Sequence, residues 1–275
     1  MKKWGMGNAD CGMNSDFTLR DPHSEFRISF FDYLLRLGDS CLILSHRLGE
    51  WCGRGPALEE DLALTNVALD LNGQAQLWLE YASQIEGKGR TEDQLAFLRD
   101  TPEFRNLLLV EQENGDFAMT VARQFYFDLW HSLLLQELLN SSDQRICAIS
   151  EKALKEAQYH LRRSAGWVTR LGDGTEESHT RMQRAADDLW QFTGELFEID
   201  AVDEAMVQEK IGPDPRTLWI PWMDRVKSTF TEARLAWPNG GWMQRGGKSG
   251  IHTERLGYLL AEMQFLQRAY PGAQW

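Results

Sequence analysis

Apolar residues recur along this chain at spacings of three and four over long stretches, and strict alternation of apolar and polar positions is almost absent. Leucine outnumbers valine and isoleucine together by about two to one, which favours helix over strand. The spacing predicts four long helices at 30–50, 57–86, 116–140 and 143–171. Breakers separate them at Gly53-Arg54-Gly55-Pro56, Gly87-Lys88-Gly89, Asn114-Gly115 and Asn140-Ser141-Ser142-Asp143. A short helix near 92–99 bridges the second and third. Further helices are expected at 176–198, 200–210, 216–236 and 253–270, with turns at Gly212-Pro213-Asp214-Pro215 and Pro238-Asn239-Gly240-Gly241. Residues 1–25, polar and rich in Gly and Asp, read as a flexible extension, and residues 26–275 as one all-α domain centred on a four-helix bundle.

Helical periodicity also says which side chains face inward. The first long helix carries Leu34, Leu37, Cys41, Leu44 and Leu48 on one stripe, and the second Leu64, Val67, Leu71, Gln74 and Trp78. The third gives Val121, Phe125, Asp128, Leu135 and Leu139, with a gap around His131. On the fourth lie Ile146, Ile149, Ala153, Ala157, His160, Ser164, Trp167 and Leu171. Three apolar stripes thus hold a polar group near mid-helix: Gln74, Asp128 and His160. Bundles place di-iron sites at that depth, with a carboxylate from each of two helices and Glu-x-x-His from each of the other two. Here the required set is incomplete. The inward positions read Cys41, Leu71, Gln74, Asp128, Ala157 and His160, and one carboxylate with one imidazole cannot hold an iron pair. A metal-dependent oxidase built from Asp128, Glu156 and His160 is the competing reading; Glu156, beside Lys155 and off the stripe, is expected to be solvated. Otherwise Asp128 and His160 form a buried hydrogen-bonded pair to which Gln74 adds an amide.

Charge narrows the partners. The chain has 29 Lys+Arg against 41 Asp+Glu, a net charge of −12, which disfavours nucleic acid and anionic membranes. No apolar run reaches the ~18 residues of a membrane span, and no apolar segment follows Lys2-Lys3 to make a secretory signal. Cys11, Cys41, Cys52 and Cys147 are scattered without a C-x-x-C, as expected of a reduced, cytoplasmic protein. Of 11 tryptophans, five (Trp219, Trp222, Trp237, Trp242 and Trp275) fall in the last 57 positions, among prolines and glycines. They are candidate interface anchors, or else a second core layer.

Several ordered blocks resemble the C subunit of the bacterial phenylacetyl-CoA epoxidases. They include Leu37-Gly38-Asp39-Ser40-Cys41, Arg47-Leu48-Gly49-Glu50-Trp51-Cys52-Gly53, Leu69-Asp70-Leu71-Asn72-Gly73-Gln74-Ala75 and Asn106-Leu107-Leu108-Leu109-Val110-Glu111-Gln112. Lys155-Glu156-Ala157-Gln158-Tyr159-His160-Leu161-Arg162, Asp214-Pro215-Arg216-Thr217-Leu218 and the stretch from Gly250-Ile251-His252-Thr253-Glu254 to the terminal Pro271-Gly272-Ala273-Gln274-Trp275 continue the likeness. The resemblance implies a ferritin-like fold and a structural, non-catalytic subunit with no cofactor of its own. It also implies a homologous A subunit that holds the di-iron centre, a small bridging subunit, and a reductase holding flavin and an iron–sulfur cluster. Together these use oxygen and NADPH to epoxidise the ring of phenylacetyl-CoA; the isolated chain could self-associate as a homodimer. Aligned on the A-subunit pattern, Leu71 and Gln74 stand at ligand positions, Ala157 replaces a glutamate, and Asp128 and His160 remain.

Two other motifs are weaker. Gly247-Lys248-Ser249 resembles the end of a phosphate-binding loop, but the glycine required five positions earlier is Trp242. Arg162-Arg163 could meet a CoA phosphate but reads first as a solvated face, and His252-Thr253-Glu254 as a helix start capped by Thr253.

Overall fold

The computed structural model describes residues 22–238 and 240–273. The expected extension lies outside the described residues as far as residue 21, as does Trp275. Residues 22–25 are already helical. The four long helices are α1 (Pro22–Gly49), α2 (Leu58–Glu86), α4 (Phe117–Leu138) and α5 (Gln144–Gly172), with the short α3 (Glu92–Phe97) between the second and third. Five smaller helices follow: α6 (Glu176–Trp190), α7 (Ala201–Gln208), α8 (Trp219–Glu232), α9 (Glu254–Met263) and α10 (Phe265–Ala269). No strand occurs among the described residues.

The pairs α1–α2 and α4–α5 are antiparallel hairpins. At Gly38 the first pair comes so close that a Cβ would stand 2.9 Å from Leu79, which only glycine avoids. Contacts across the bundle run in opposite directions along α1 and α4, with Cys41 beside His131 and Trp51 bonded to Thr120. They do the same along α2 and α5, where Gln74 meets Glu156 and Asp70 meets His160. α2 and α4 are therefore parallel, and residues 87–116 must traverse the bundle's length to join them. Two hairpins joined by one long crossover make a ferritin-like fold.

That crossover is buried. Phe104 and residues 106–112 are enclosed against α1 and the C-terminal segment. Asp39 on α1 holds it by accepting from both Nη atoms of Arg99 and from the Arg105 amide at 2.8 Å, and Arg99 lies over the Phe104 ring at 4.3 Å. Asp39 is fully buried and Arg99 nearly so, a tolerable arrangement only because the pair is bidentate and further hydrogen-bonded. Farther along, the Glu111 carboxylate accepts from Asn106 at 3.0 Å and from the Thr253 amide at 2.7 Å, and lies 2.9 Å from His252 Nδ1. His252 Nε2 faces the Phe104 carbonyl at 3.0 Å. With an acceptor at each nitrogen, the ring serves both as an imidazolium. Thr253 stands at the N-cap of α9, but contrary to expectation its side chain makes no capping bond; Glu111 takes its amide instead.

α4 differs from the other long helices in being buried around nearly its whole circumference. One side faces the bundle and the other is covered by α6 and α8. Trp222 on α8 is fully buried, donates from Nε1 to the Tyr126 carbonyl at 3.1 Å, and packs on Tyr126, Trp190, Phe197 and Trp219 with ring centroids 5.2–6.0 Å apart. Trp222 is core, which corrects its placement among the interface candidates, and Trp219 is half-buried in the same stack.

Trp222→Ala should therefore destabilise the isolated chain by about 3–5 kcal/mol, seen as a clear fall in melting temperature. The His252 clamp carries a pH signature. Burial favours the neutral ring, but the Glu111 hydrogen bond and charge outweigh it and raise His252 above its ordinary value. Its contribution is complete below the ordinary ~6.5 and is lost as pH rises through the raised folded value. The melting-temperature gap between wild type and His252→Gln should accordingly narrow as pH is raised through that window.

Candidate functional site

The stripes converge where expected. Leu34, Leu44, Leu48, Leu64, Leu71, Trp78, Phe125, Leu135, Ile146 and Ala157 are all buried, with Gln74, Asp128 and His160 enclosed among them. His131, at the expected gap, is buried as well, because α4 is covered around nearly its whole circumference. A layer of polar side chains thus crosses the bundle at mid-height.

Its members bond one another, although the Nδ1 atoms of His131 and His160 are buried without a partner. Asp128 accepts from Gln124 Nε2 one turn earlier at 2.5 Å and from Ser164 Oγ on α5 at 2.7 Å. His160 turns to α2, where its Nε2 lies 3.0 Å from Asp70. The direct Asp128–His160 bond expected from the sequence is not made; each group has its own partner. Gln74 donates to Glu156 at 2.8 Å, and its carbonyl accepts from the Cys41 thiol at 3.9 Å; the Cys41 sulfur lies 4.0 Å from His131 Nε2. Glu156 is therefore a half-buried acceptor rather than a solvated one. The pairs Asp70–His160 and Gln74–Glu156 are successive rungs of one ladder, since one turn forward on α2 is one turn back on antiparallel α5. Asp70 was the residue least visible to periodicity. Its signal is the matched i, i+4 spacing of 70/74 against 156/160.

Burial dominates the electrostatics of the layer. Burial pushes Asp128 up to about 6, opposed by the charge of His160 and the bonds from Ser164 and Gln124. Burial and then the neighbouring His160 push His131 down to about 3, and burial raises the Cys41 thiol, so both are uncharged at neutral pH. An iron pair needs about four carboxylates. Of the six positions, Cys41, Leu71, Gln74 and Ala157 offer none, and Asp128 already accepts from two donors. The residues do not fit that cofactor. Among the described residues no three His, Cys, Asp or Glu side chains converge to hold a metal ion, which also counts against an oxidase built on Asp128, Glu156 and His160.

A model of the family described as phenylacetic acid catabolic protein matches residues 20–275. This chain belongs to that family. It is 55% identical over 243 residues to the C subunit of 1,2-phenylacetyl-CoA epoxidase from Escherichia coli (strain K12), an alignment covering 88% of this chain and 98% of that relative. No helix among the described residues is long and apolar enough to cross a membrane.

The remaining candidates in this family member fall into place around the bundle. Trp237 sits at the rim, edge-on to Trp190 at 5.0 Å, while Trp242 is 71% exposed. Gly247-Lys248-Ser249 forms a single tight turn, and the amides of Lys248 and Ser249 are already taken. Glu195 accepts from the amides of Gly246 at 2.9 Å and Lys248 at 3.2 Å, and from Leu108 at 2.9 Å. A side-chain carboxylate of the chain itself occupies the place a phosphate would need. Gly247 lies so close to the crossover that a Cβ would fall 2.2 Å from the Asn106 carbonyl oxygen, and Lys248 Nζ reaches Asp203 at 2.7 Å. The turn is a structural strap between the 194–197 turn, α7 and the crossover. Arg163 pairs with Glu60, whereas Arg162 is exposed.

The raised Asp128 sets a pH dependence. The folded state retains a proton between the ordinary carboxylate value of ~3.9 and about 6, so stability rises as pH falls through 6. From pH 7.5 to 5, wild type should gain about 1–2 kcal/mol relative to Asp128→Asn, measured by denaturant unfolding at each pH.

Proposed function

We propose that this chain is the non-catalytic structural subunit of a multicomponent phenylacetyl-CoA epoxidase of aerobic phenylacetate breakdown, acting in the cytoplasm. The observation that carries the reading is the internally hydrogen-bonded polar layer. A bundle of the di-iron type keeps its buried polar positions, but Gln74, Asp128 and His160 each bond a neighbour in the same chain and four of six ligand positions lack a carboxylate or imidazole. A relative named as the C subunit of 1,2-phenylacetyl-CoA epoxidase supports the same role.

In this reading the iron pair resides in an A-type catalytic subunit, which this chain binds and stabilises. Electrons come from NADPH through a reductase subunit with flavin and an iron–sulfur cluster, aided by a small bridging subunit. This chain supplies rigidity: its core commits no side chain to oxygen, substrate or metal. Replacing metal ligands by a hydrogen-bonded layer keeps such a bundle folded without iron.

The test combines metal analysis with reconstitution. Chain expressed in iron-rich medium and dialysed against a weak chelator should retain no stoichiometric iron. Added to the A-type subunit, it should raise the yield of active complex. His160→Ala, which strips Asp70 of its partner, should lower the melting temperature of this chain while assembled complex keeps wild-type turnover per iron pair. Two tightly held irons per isolated chain, or a stable His160→Ala variant whose assembled complex is inactive, would overturn the proposal.

A further inference from the structure

The C-terminal segment is bonded to the start of the crossover. From the end of α9, Gln264 Nε2 donates to the carbonyls of Ala96 at 3.1 Å and Arg99 at 3.0 Å. On α10, Arg268 donates to the Arg99 carbonyl and to the Asp100 carboxylate, each at 2.9 Å. These bonds set α10 beside α3 and leave a groove of about 860 Å³ between them. Phe97 and Leu98 line it from the α3 side, and Gln267, Tyr270 and the Pro271–Ala273 stretch from the other. Its large apolar side chains are poorly covered, Leu98 being 50% and Tyr270 59% exposed. Gln267 carries a buried side-chain oxygen, Oε1, that has no hydrogen-bond partner among the described residues.

Beyond α10 the backbone turns back on itself. The Ala273 amide donates to the Tyr270 carbonyl at 3.2 Å, and Gly272, third of the four residues in that turn, has φ of +79°. Proline then glycine at the two central positions is the pattern of a type II turn, whose third residue takes a left-handed backbone that glycine adopts without strain. The reversal brings Ala273 onto the groove. Trp275 follows two positions later, and two residues span at most about 7 Å. Its backbone therefore stays at the groove wall.

We infer that the Trp275 indole docks in the groove between α3 and α10 and closes the C-terminal segment over the start of the crossover. Tether and chemistry select this occupant. A group held two residues from its site acts at an effective concentration in the millimolar range, which a separate subunit does not match. An indole brings a large apolar surface to Phe97, Leu98 and Tyr270, and one N–H, the kind of donor that Gln267 Oε1 lacks. The groove has room for the ring together with Gln274. Because Gln264 and Arg268 already fix its two sides, docking orders little besides the indole itself. Trp275 then serves the chain's own packing, a role different from the interface anchor considered from the sequence.

The experiment follows the indole N–H signals of the full chain labelled with nitrogen-15, the Trp275 signal being identified by its loss in Trp275→Phe. In wild type that signal should be shielded from a soluble paramagnetic reagent, and Leu98→Glu should expose it. Hydrogen exchange supplies a second reading. Trp275→Ala should speed amide exchange in residues 94–98 and 264–270 at least about fivefold, while exchange in α4 stays unchanged. Leu98→Glu should do the same, and the two substitutions together should add little, because both remove one contact. A Trp275 signal as accessible as that of free tryptophan, with exchange unchanged in Trp275→Ala, would overturn the inference. A signal that stays shielded in Leu98→Glu would place the ring elsewhere and overturn it too. Shielding that appears only when the purified A-type subunit is added would make Trp275 an interface anchor and the partner its occupant. The first two outcomes are read on the chain alone, so either can fail without touching the proposed subunit role.

Discussion

The fold depends on burying a charged pair where the chain can least avoid it. Because α2 and α4 run parallel, the segment between them must cross the bundle, and its backbone must be satisfied on the way. Asp39 does this from the middle of α1. It binds Arg99 through two nitrogens and the Arg105 amide, so one carboxylate serves three donors of the crossover. Removing one partner would leave the other charge in the core, where such a loss typically costs ~3–5 kcal/mol. The same device recurs at Glu111, which joins the crossover to α9, and at Glu195, which joins it to the Gly246–Lys248 turn. Three internal carboxylates thus fix the long connection to α1 and to both parts of the C-terminal half.

The mid-bundle layer follows a different logic. Its polar groups stand at the depth where bundles of this type hold metal, but each is paired across a helix seam: Asp128 with Ser164, Asp70 with His160, Gln74 with Glu156. Low dielectric makes an unpaired member expensive, so the layer specifies the register of α2 against α5 as well as keeping the core closed. Neutral His131 and Cys41 fill the remainder without charge.

Much of this was legible in the residues. The four long helices and the short α3 fall within a few residues of the periodic pattern except at the start of α1, because 3.6-residue amphipathicity and Gly/Pro breakers are local properties. The buried polar positions Gln74, Asp128 and His160 could be read for the same reason. Their partners could not. Asp128 takes a neighbour one turn away rather than His160, and His160 takes Asp70, which lies off the apolar stripe. Such choices depend on the rotation of each helix about its axis, which the α1–α2 contact at Gly38 and the covering of α4 set only after packing.

Trp222 shows the same division. Its segment, broken by proline and glycine, suggested a surface anchor, yet it fills the far side of α4. The run Phe125-Tyr126-Phe127-Asp128-Leu129-Trp130 was the available sign, since a helix apolar on all sides must be covered on all sides. By itself the sequence determined the helices, their inward stripes and the residue types at the six mid-bundle positions, because spacing and side-chain chemistry are fixed by residue order. Only the tertiary structure decided which carboxylate pairs with which cation and which tryptophan is core. Those outcomes depend on distances between segments far apart in the chain, and no local pattern encodes them.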